Sequence, residues 1–266
     1  MIYREITLGN ALLRTYVLSN YKDMDPGRRR AMIVICPGGG YHFCSEREAE
    51  SVAIRFNSLG YNACVLYYTV NEGGAEKGGI YPLPQQELAS AVKWVRENAA
   101  ELNTDHAKIA VLGFSAGGHL AASLGVFWKE FGGVQCRPDA MVLCYPVITS
   151  GPLAHRGSIA NLIGDREELL EKVSLEKQVS PDTPPAFIWT TRTDQSVPYE
   201  NSTMFKQALD ACGVQSDIHI YPVGRHGLSL GTEEVMGVRH METCPEIYDW
   251  PERADAFLVK VFGSRF

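Results

Sequence analysis

Two kinds of apolar pattern divide the chain. At its start, residues 2–8 and 11–18 alternate polar and apolar side chains around Gly9-Asn10, a dipeptide that tolerates positive φ, and this predicts a β-hairpin at one edge of a sheet. From Ala31 onward the alternation gives way to short unbroken apolar runs: AMIVIC, YNACVLYY, KIAVLGF, AMVLCYP and AFIWTT. Such runs suit strands buried on both faces of a parallel sheet. Helical segments separate them. Residues 45–59 close at Gly60, residues 84–102 carry Leu88, Val92 and Val95 at helical spacing, and residues 116–127 follow the third run. A helix near 199–211, a strand at 216–221 and a last helix at 251–262 complete the series. The alternation predicts a doubly wound, mostly parallel α/β sheet preceded by an antiparallel hairpin.

Two segments break the rhythm. Residues 72–79 are a glycine-rich loop, and residues 150–185 hold a short helix expected at 165–172 and a proline-rich close. The second is read as a small cap insertion in a single domain spanning 1–266, placed where loops vary at little cost to the core.

Composition narrows the function classes. Hydrophobic residues make up 45% of the 266 positions and charged residues 21%, ordinary for a soluble globular protein. A formal net charge of -6 supplies no basic footprint, so neither nucleic acid nor an anionic membrane surface is expected as a partner. The run Arg28, Arg29, Arg30 reads as a solvated approach to a strand. No stretch of about eighteen apolar residues occurs, so no bilayer-spanning helix is expected. The seven cysteines form no CxxC, and Cys36, Cys64 and Cys144 sit inside apolar runs as small hydrophobes. The opening residues lack a basic region followed by an apolar signal core. Together these features lead to the expectation of a reduced, cytoplasmic protein. No grouping of His, Cys, Asp or Glu has zinc or calcium spacing, so neither a metal nor another cofactor is expected.

The chemistry begins at Gly113-Phe114-Ser115-Ala116-Gly117, a G-x-S-x-G lying between a predicted strand and a predicted helix. That context makes Ser115 a candidate nucleophile on a tight turn, with Gly118, Ala121 and Ala122 letting the helix approach the sheet. A serine hydroxyl needs a positioned base, usually an imidazole oriented by a carboxylate. In this strand-turn-helix setting the acid and then the histidine follow later in the chain. Asp194, in the loop after AFIWTT, and His226, in the loop after DIHIYP, are placed to reach the same rim as Ser115, whereas Asp182 precedes its strand and belongs to the opposite rim. A helix N-cap is the competing role for Asp194. Of the other histidines, His106, His119, His219 and His240 read as structural, and His42 and His155 are left open between a structural role and lining the pocket. Backbone N–H donors for an oxyanion are expected from Gly39 and Gly40, in the PGGGY loop after AMIVIC, and from Ala116. A phosphate-binding loop is disfavoured, since no Gly-Lys-Ser/Thr follows and G-x-G-x-x-G is absent.

These segments resemble the acetyl esterase/lipase group of α/β-hydrolases related to hormone-sensitive lipase, and within it the small bacterial acetylxylan esterases. The likeness spans residues 31–262 and rests on PGGGY, SEREAE, YPLPQQELASAVKWVREN, GFSAGGHLAA, CYPVI, TRTDQSVP, GRHG and WPERADAFL. It implies an α/β-hydrolase fold with Ser115, Asp194 and His226 as the catalytic triad and Gly39, Gly40 and Ala116 as the oxyanion hole. Pro37 stands where lipase-like loops carry a histidine, and no large amino-terminal cap is present; both departures favour short acyl groups over long ones. The implied function is a serine esterase acting on a small-molecule ester such as an acetylated oligosaccharide, with Tyr41, His42 and His155 as candidate substrate contacts and with room for a homodimer. A prolyl-oligopeptidase-like peptidase and a non-catalytic binder on the same fold are the alternatives. Phe43, Tyr67, Tyr68, Tyr81 and Tyr145 are open to either sugar stacking or core packing.

Overall fold

The hairpin forms as expected: β1 (Ile2–Leu8) pairs antiparallel with β2 (Ala11–Val17). In the computed structural model, which describes residues 1–236 and 243–266, six further strands follow. They are β3 (Arg30–Cys36), β4 (Asn62–Tyr67), β5 (Thr104–Phe114), β6 (Ala140–Cys144), β7 (Ala186–Thr191) and β8 (Ser216–Tyr221). The sheet order is β1-β2-β4-β3-β5-β6-β7-β8, and from β4 to β8 all neighbours are parallel. The chain steps from β3 outward to β4, then back across to β5 on the other side. The crevice at such a reversal, at the carboxyl ends of the strands, is where open α/β sheets place ligands.

The unbroken apolar runs are explained by two cores, one on each face. Met32, Val34 and Cys36 of β3 enter one core, and Ala31, Ile33 and Ile35 enter the other; β5 divides in the same way, with Ile109 and Val111 opposed to Ala110 and Leu112. Helices α2 (Leu83–Glu97), α3 (Ser115–Phe131) and α5 (Glu200–Ala211) cover the first face through Leu88, Val92, Leu120, Phe205 and Leu209. The other face is covered by α1 (Glu50–Ser58) and α6 (Trp250–Phe262), through Val52, Phe56, Trp250 and Leu258. All seven cysteines are free thiols. Among the described residues no helix is long and apolar enough to cross a membrane.

Two expectations need correction. The helix of the 150–185 insertion is α4 (Arg156–Ile163), whereas residues 165–172 hold only a 3-10 turn at Glu167–Leu169. Ile159, Leu162 and Ile163 of α4 bury one face, and Gly164 at φ 62 ends it; the acidic segment that follows has no such stripe. The arginine run is also not uniformly solvated. Arg30 opens β3 at 5% exposure, with its guanidinium donating to Asn20 Oδ1 at 2.6 Å. His240 lies outside the described residues.

Candidate active site

β5 ends at Phe114 and α3 begins at Ser115, which takes φ 52, a left-handed conformation uncommon for a residue with a side chain. Steric necessity explains the flanking glycines. A Cβ on Gly113 would lie 2.1 Å from the carbonyl oxygen of Gly117, and one on Gly117 would lie 2.1 Å from that of Cys36. Both obstacles are backbone atoms, so neither can rotate away. The turn therefore presses the start of α3 onto the end of β3 and holds the Ser115 hydroxyl above the crevice.

The strands β7 and β8 end on the same rim. His226 Nε2 lies 2.8 Å from Ser115 Oγ, and His226 Nδ1 lies 2.6 Å from Asp194 Oδ2. Asp194 is buried, and its Oδ1 accepts the N–H groups of Ser196 at 2.9 Å and Val197 at 3.0 Å. One carboxylate oxygen thus shapes the turn after β7, which leaves the other aimed at the imidazole. Helix α5 begins only at Glu200, so the carboxylate organises a turn rather than capping that helix. Because Nδ1–H donates to a carboxylate, Nε2 is left as the acceptor for the Ser115 O–H. The edge of the Tyr145 ring packs against this imidazole, with ring centroids 5.0 Å apart.

The loop after β3 supplies the third part. Gly39 takes φ 127, and a Cβ there would lie 2.0 Å from the carbonyl oxygen of Phe43. Among the described residues, the N–H groups of Gly39 and Gly40 meet no acceptor in the protein. Ala116 stands in the first turn of α3, where a helical N–H has no partner four residues back. The three donors proposed from the sequence therefore sit beside Ser115 and are uncommitted.

A cavity of ≈ 410 Å³ opens over this point, lined in part by Gly39, Gly40, His42, Phe43, His155 and Asn161. His42 and His155 do line it. The His42 Nδ1 is 2.9 Å from the Asn71 carbonyl oxygen, and His155 Nδ1 is 2.8 Å from Ser158 Oγ at the start of α4. Burial, followed by the nearby His226, lowers the pKa of His155. Tyr41 is a correction: it is fully buried and turned away from the cavity, with its hydroxyl 2.9 Å from His119 Nδ1 and its ring edge against Tyr68. The chain reverses at Tyr41 with φ 58, which sends the ring into the core. His119 is structural as expected. Its Nε2–H donates to the Val173 carbonyl at 2.9 Å, so Nδ1 accepts from the Tyr41 O–H, and burial pulls its pKa down to about 4. Of the five aromatic residues left open, only Phe43 lines the cavity, 56% exposed; Tyr68 and Tyr145 are core.

Two residues of this site, Asn161 and Glu48, were missed, and the part played by Tyr145 was left open. Asn161 of α4 donates to the Gly40 carbonyl at 2.9 Å and so ties the insertion to the glycine loop. Glu48 lies 3% exposed beneath that loop, and Tyr145 connects it to the imidazole side. A signal for Glu48 existed: it shares the 48, 52, 56 spacing of a helix face with Val52 and Phe56, and a carboxylate on an apolar face requires an explanation. Among the described residues no group of three or more His, Cys, Asp and Glu side chains is arranged to hold a metal ion.

Comparison with known proteins agrees with this architecture. The BD-FAE family model matches residues 20–134. Endo-1,4-beta-xylanase B of Butyrivibrio fibrisolvens is 39% identical over 223 residues, covering 80% of this chain and 35% of that protein. The chain spans 35%, 41% and 48% of the length of three curated relatives that it matches. The acetyl ester-xyloside bifunctional hydrolase of Caldicellulosiruptor lactoaceticus superposes with a TM-score of 0.78 at 36% identity, covering 95% of this chain and 88% of that one. MGS-M1, an alpha/beta hydrolase enzyme from a deep-sea metagenome library of the Medee basin, superposes with a TM-score of 0.81 at 31% identity, covering 99% and 98%. With its parallel sheet, antiparallel hairpin and these near-full-length relatives, the chain belongs to the α/β-hydrolase family and resembles acetylxylan esterases.

Proposed function

We propose that the chain is a serine carboxylesterase that removes short acyl groups, acetyl foremost, from carbohydrate alcohols such as acetylated xylan fragments. The observation that carries this reading is the unbroken line from Asp194 Oδ2 through His226 to Ser115 Oγ, at 2.6 and 2.8 Å, ending beside uncommitted N–H groups. In this reading His226 Nε2 takes the Ser115 proton as the hydroxyl attacks the ester carbonyl. The oxyanion of the tetrahedral intermediate meets the N–H groups of Gly39, Gly40 and Ala116, each worth on the order of 3 kcal/mol. The imidazolium, stabilised by Asp194, then protonates the leaving alcohol. Water, deprotonated by the same imidazole, attacks the acyl-enzyme and releases the acid.

The cavity lining supports a short acyl group on a polar alcohol. Ser45, Arg47, His155, Asn161 and Ser196 all contribute to it. A long alkyl chain would strip water from these groups and return no hydrogen bonds, whereas a sugar offers hydroxyls to them. The exposed ring of Phe43 gives a sugar an apolar face to rest on. The similarity to the acetyl ester-xyloside bifunctional hydrolase of Caldicellulosiruptor lactoaceticus points the same way.

Ser115→Ala tests this. Turnover of p-nitrophenyl acetate and of acetylated xylo-oligosaccharides should fall by at least about four orders of magnitude, with the melting temperature preserved. Fluorophosphonate labelling of the wild type should be lost in the variant. Undiminished turnover in Ser115→Ala would refute the reading.

A further inference from the structure

Glu48 is a buried carboxylate that none of the steps above uses. It belongs to neither the triad nor the oxyanion donors, and among the described residues no Lys, Arg or His lies within ion-pair distance of it. A carboxylate removed from water without a cation is costly unless its oxygens are well bonded. Both are. Oε2 accepts the N–H of Gly38 at 2.8 Å, and Oε1 accepts the Tyr145 hydroxyl at 2.6 Å. The Tyr145 oxygen in turn accepts the N–H of Ser229 at 2.9 Å, three residues beyond His226.

These bonds join two parts of the site that the chain keeps far apart. Gly38 begins the loop that presents the N–H groups of Gly39 and Gly40, while Tyr145 packs on the imidazole and its hydroxyl fixes the loop that carries it. The neighbouring Arg47 reinforces the link: its guanidinium donates to the Gly227 carbonyl at 3.0 Å, and its own carbonyl accepts from Ser229 Oγ at 2.5 Å. Tyr145 at φ 38 and Ser229 at φ 53 are both held in left-handed backbone conformations where the network closes.

We propose that Glu48 is a positioning residue: its carboxylate clamps the oxyanion loop through Gly38 and the imidazole loop through Tyr145, setting the distance between the two halves of the site. The inference rests on the serine-esterase reading above. A neutral amide replaces the carboxylate only at a cost: with its oxygen on the Gly38 N–H, its NH2 faces the Tyr145 oxygen, which already accepts the Ser229 N–H and whose O–H is left without its acceptor.

The test compares Glu48→Gln, Tyr145→Phe and the double variant with the wild type on p-nitrophenyl acetate. Each single change should lower kcat roughly 10- to 100-fold with KM within about twofold, and the double variant should be about as slow as the worse single one. The inhibition constant of a short alkylboronic acid, which mimics the tetrahedral intermediate on Ser115, should rise in step with the loss of kcat/KM. Folded variants with kcat within about twofold of wild type would overturn the proposal. So would variants whose loss follows melting temperature alone while boronate affinity holds. Independently of any variant, a crystal structure of the wild-type boronate adduct should retain both bonds to Glu48; a carboxylate swung free there would also overturn it. A wild-type protein that neither turns over the ester nor takes up fluorophosphonate would instead sink the serine-esterase reading itself.

Discussion

The two halves of the candidate site are held in place by different means. On the serine side, position is set by backbone pressed against backbone: Gly113 on Gly117, Gly117 on Cys36, and Gly39 on Phe43, with no space for one added carbon. On the histidine side, position is set by side-chain hydrogen bonds, from the imidazole to Asp194 and from the Ser229 N–H to the Tyr145 oxygen. A steric constraint fails through stability, because the chain has nowhere else to go. A hydrogen-bonded constraint fails through rate, because the fold survives while the proton carrier loses its orientation.

Asp194→Asn should break the histidine side most severely. The new amide can keep its oxygen on the N–H groups of Ser196 and Val197, but its NH2 then faces His226 Nδ1 and drives the proton to Nε2. That is the tautomer unable to accept from Ser115. The ester turnover should fall by about four orders of magnitude, while urea denaturation stays close to wild type. A variant that loses stability and keeps turnover would reverse the assignment of roles.

Gly117→Ala should show the opposite signature. Its Cβ collides with the Cys36 carbonyl at the end of a fully buried strand, so a destabilisation of roughly 3 kcal/mol or more is expected. Chemical denaturation checks it. A stable Gly117→Ala protein that is merely slower would show that the contact between α3 and β3 yields more readily than the geometry implies.

The smallest effect sharpens the comparison by way of pH. Tyr41, under the glycine loop, is anchored by neutral His119, whose pKa is drawn from the ordinary 6.5 to about 4 by burial. Above pH 6.5 the ring is neutral whether the chain is folded or not. Below it the unfolded chain takes up a proton that the folded one refuses until about pH 4, so stability falls as pH falls through this window. Between pH 7 and pH 5 this amounts to about 2 kcal/mol. His119→Gln, whose amide can donate to Val173 and accept from Tyr41, should lose that part of the slope in urea denaturation curves recorded at the two pH values. An unchanged slope would place the titration elsewhere.

Legibility followed range along the chain. Ser115 and its glycines are a contiguous string between a strand and a helix, so their geometry was readable. Asp194 and His226 were readable because each stands in the loop after a predicted strand, and in a parallel sheet every such loop arrives on the same rim. Glu48 was legible only in part: its spacing with Val52 and Phe56 sets it on an apolar face, but its partner Tyr145 lies 97 positions away and is brought to it by the fold alone. Tyr41 was misread for a related reason. Adjacency to the glycine loop suggested the pocket, whereas its left-handed backbone points the ring into the core. In the insertion the helix was expected at 165–172, but the apolar stripe of Ile159, Leu162 and Ile163 decides where it forms.

The sequence by itself determined the layered sheet, the strained serine turn and the rim on which three distant loops end, since hydrophobic period and glycine placement act through neighbouring residues. Tertiary structure alone decided which side chains close the gaps between those loops: Glu48 to Gly38 and Tyr145, Asn161 to Gly40, His119 to Tyr41. The reason is physical. Apolar burial is non-directional and leaves a pattern along the chain, but a buried hydrogen bond requires two named atoms within about 3 Å, and only the folded backbone brings them there.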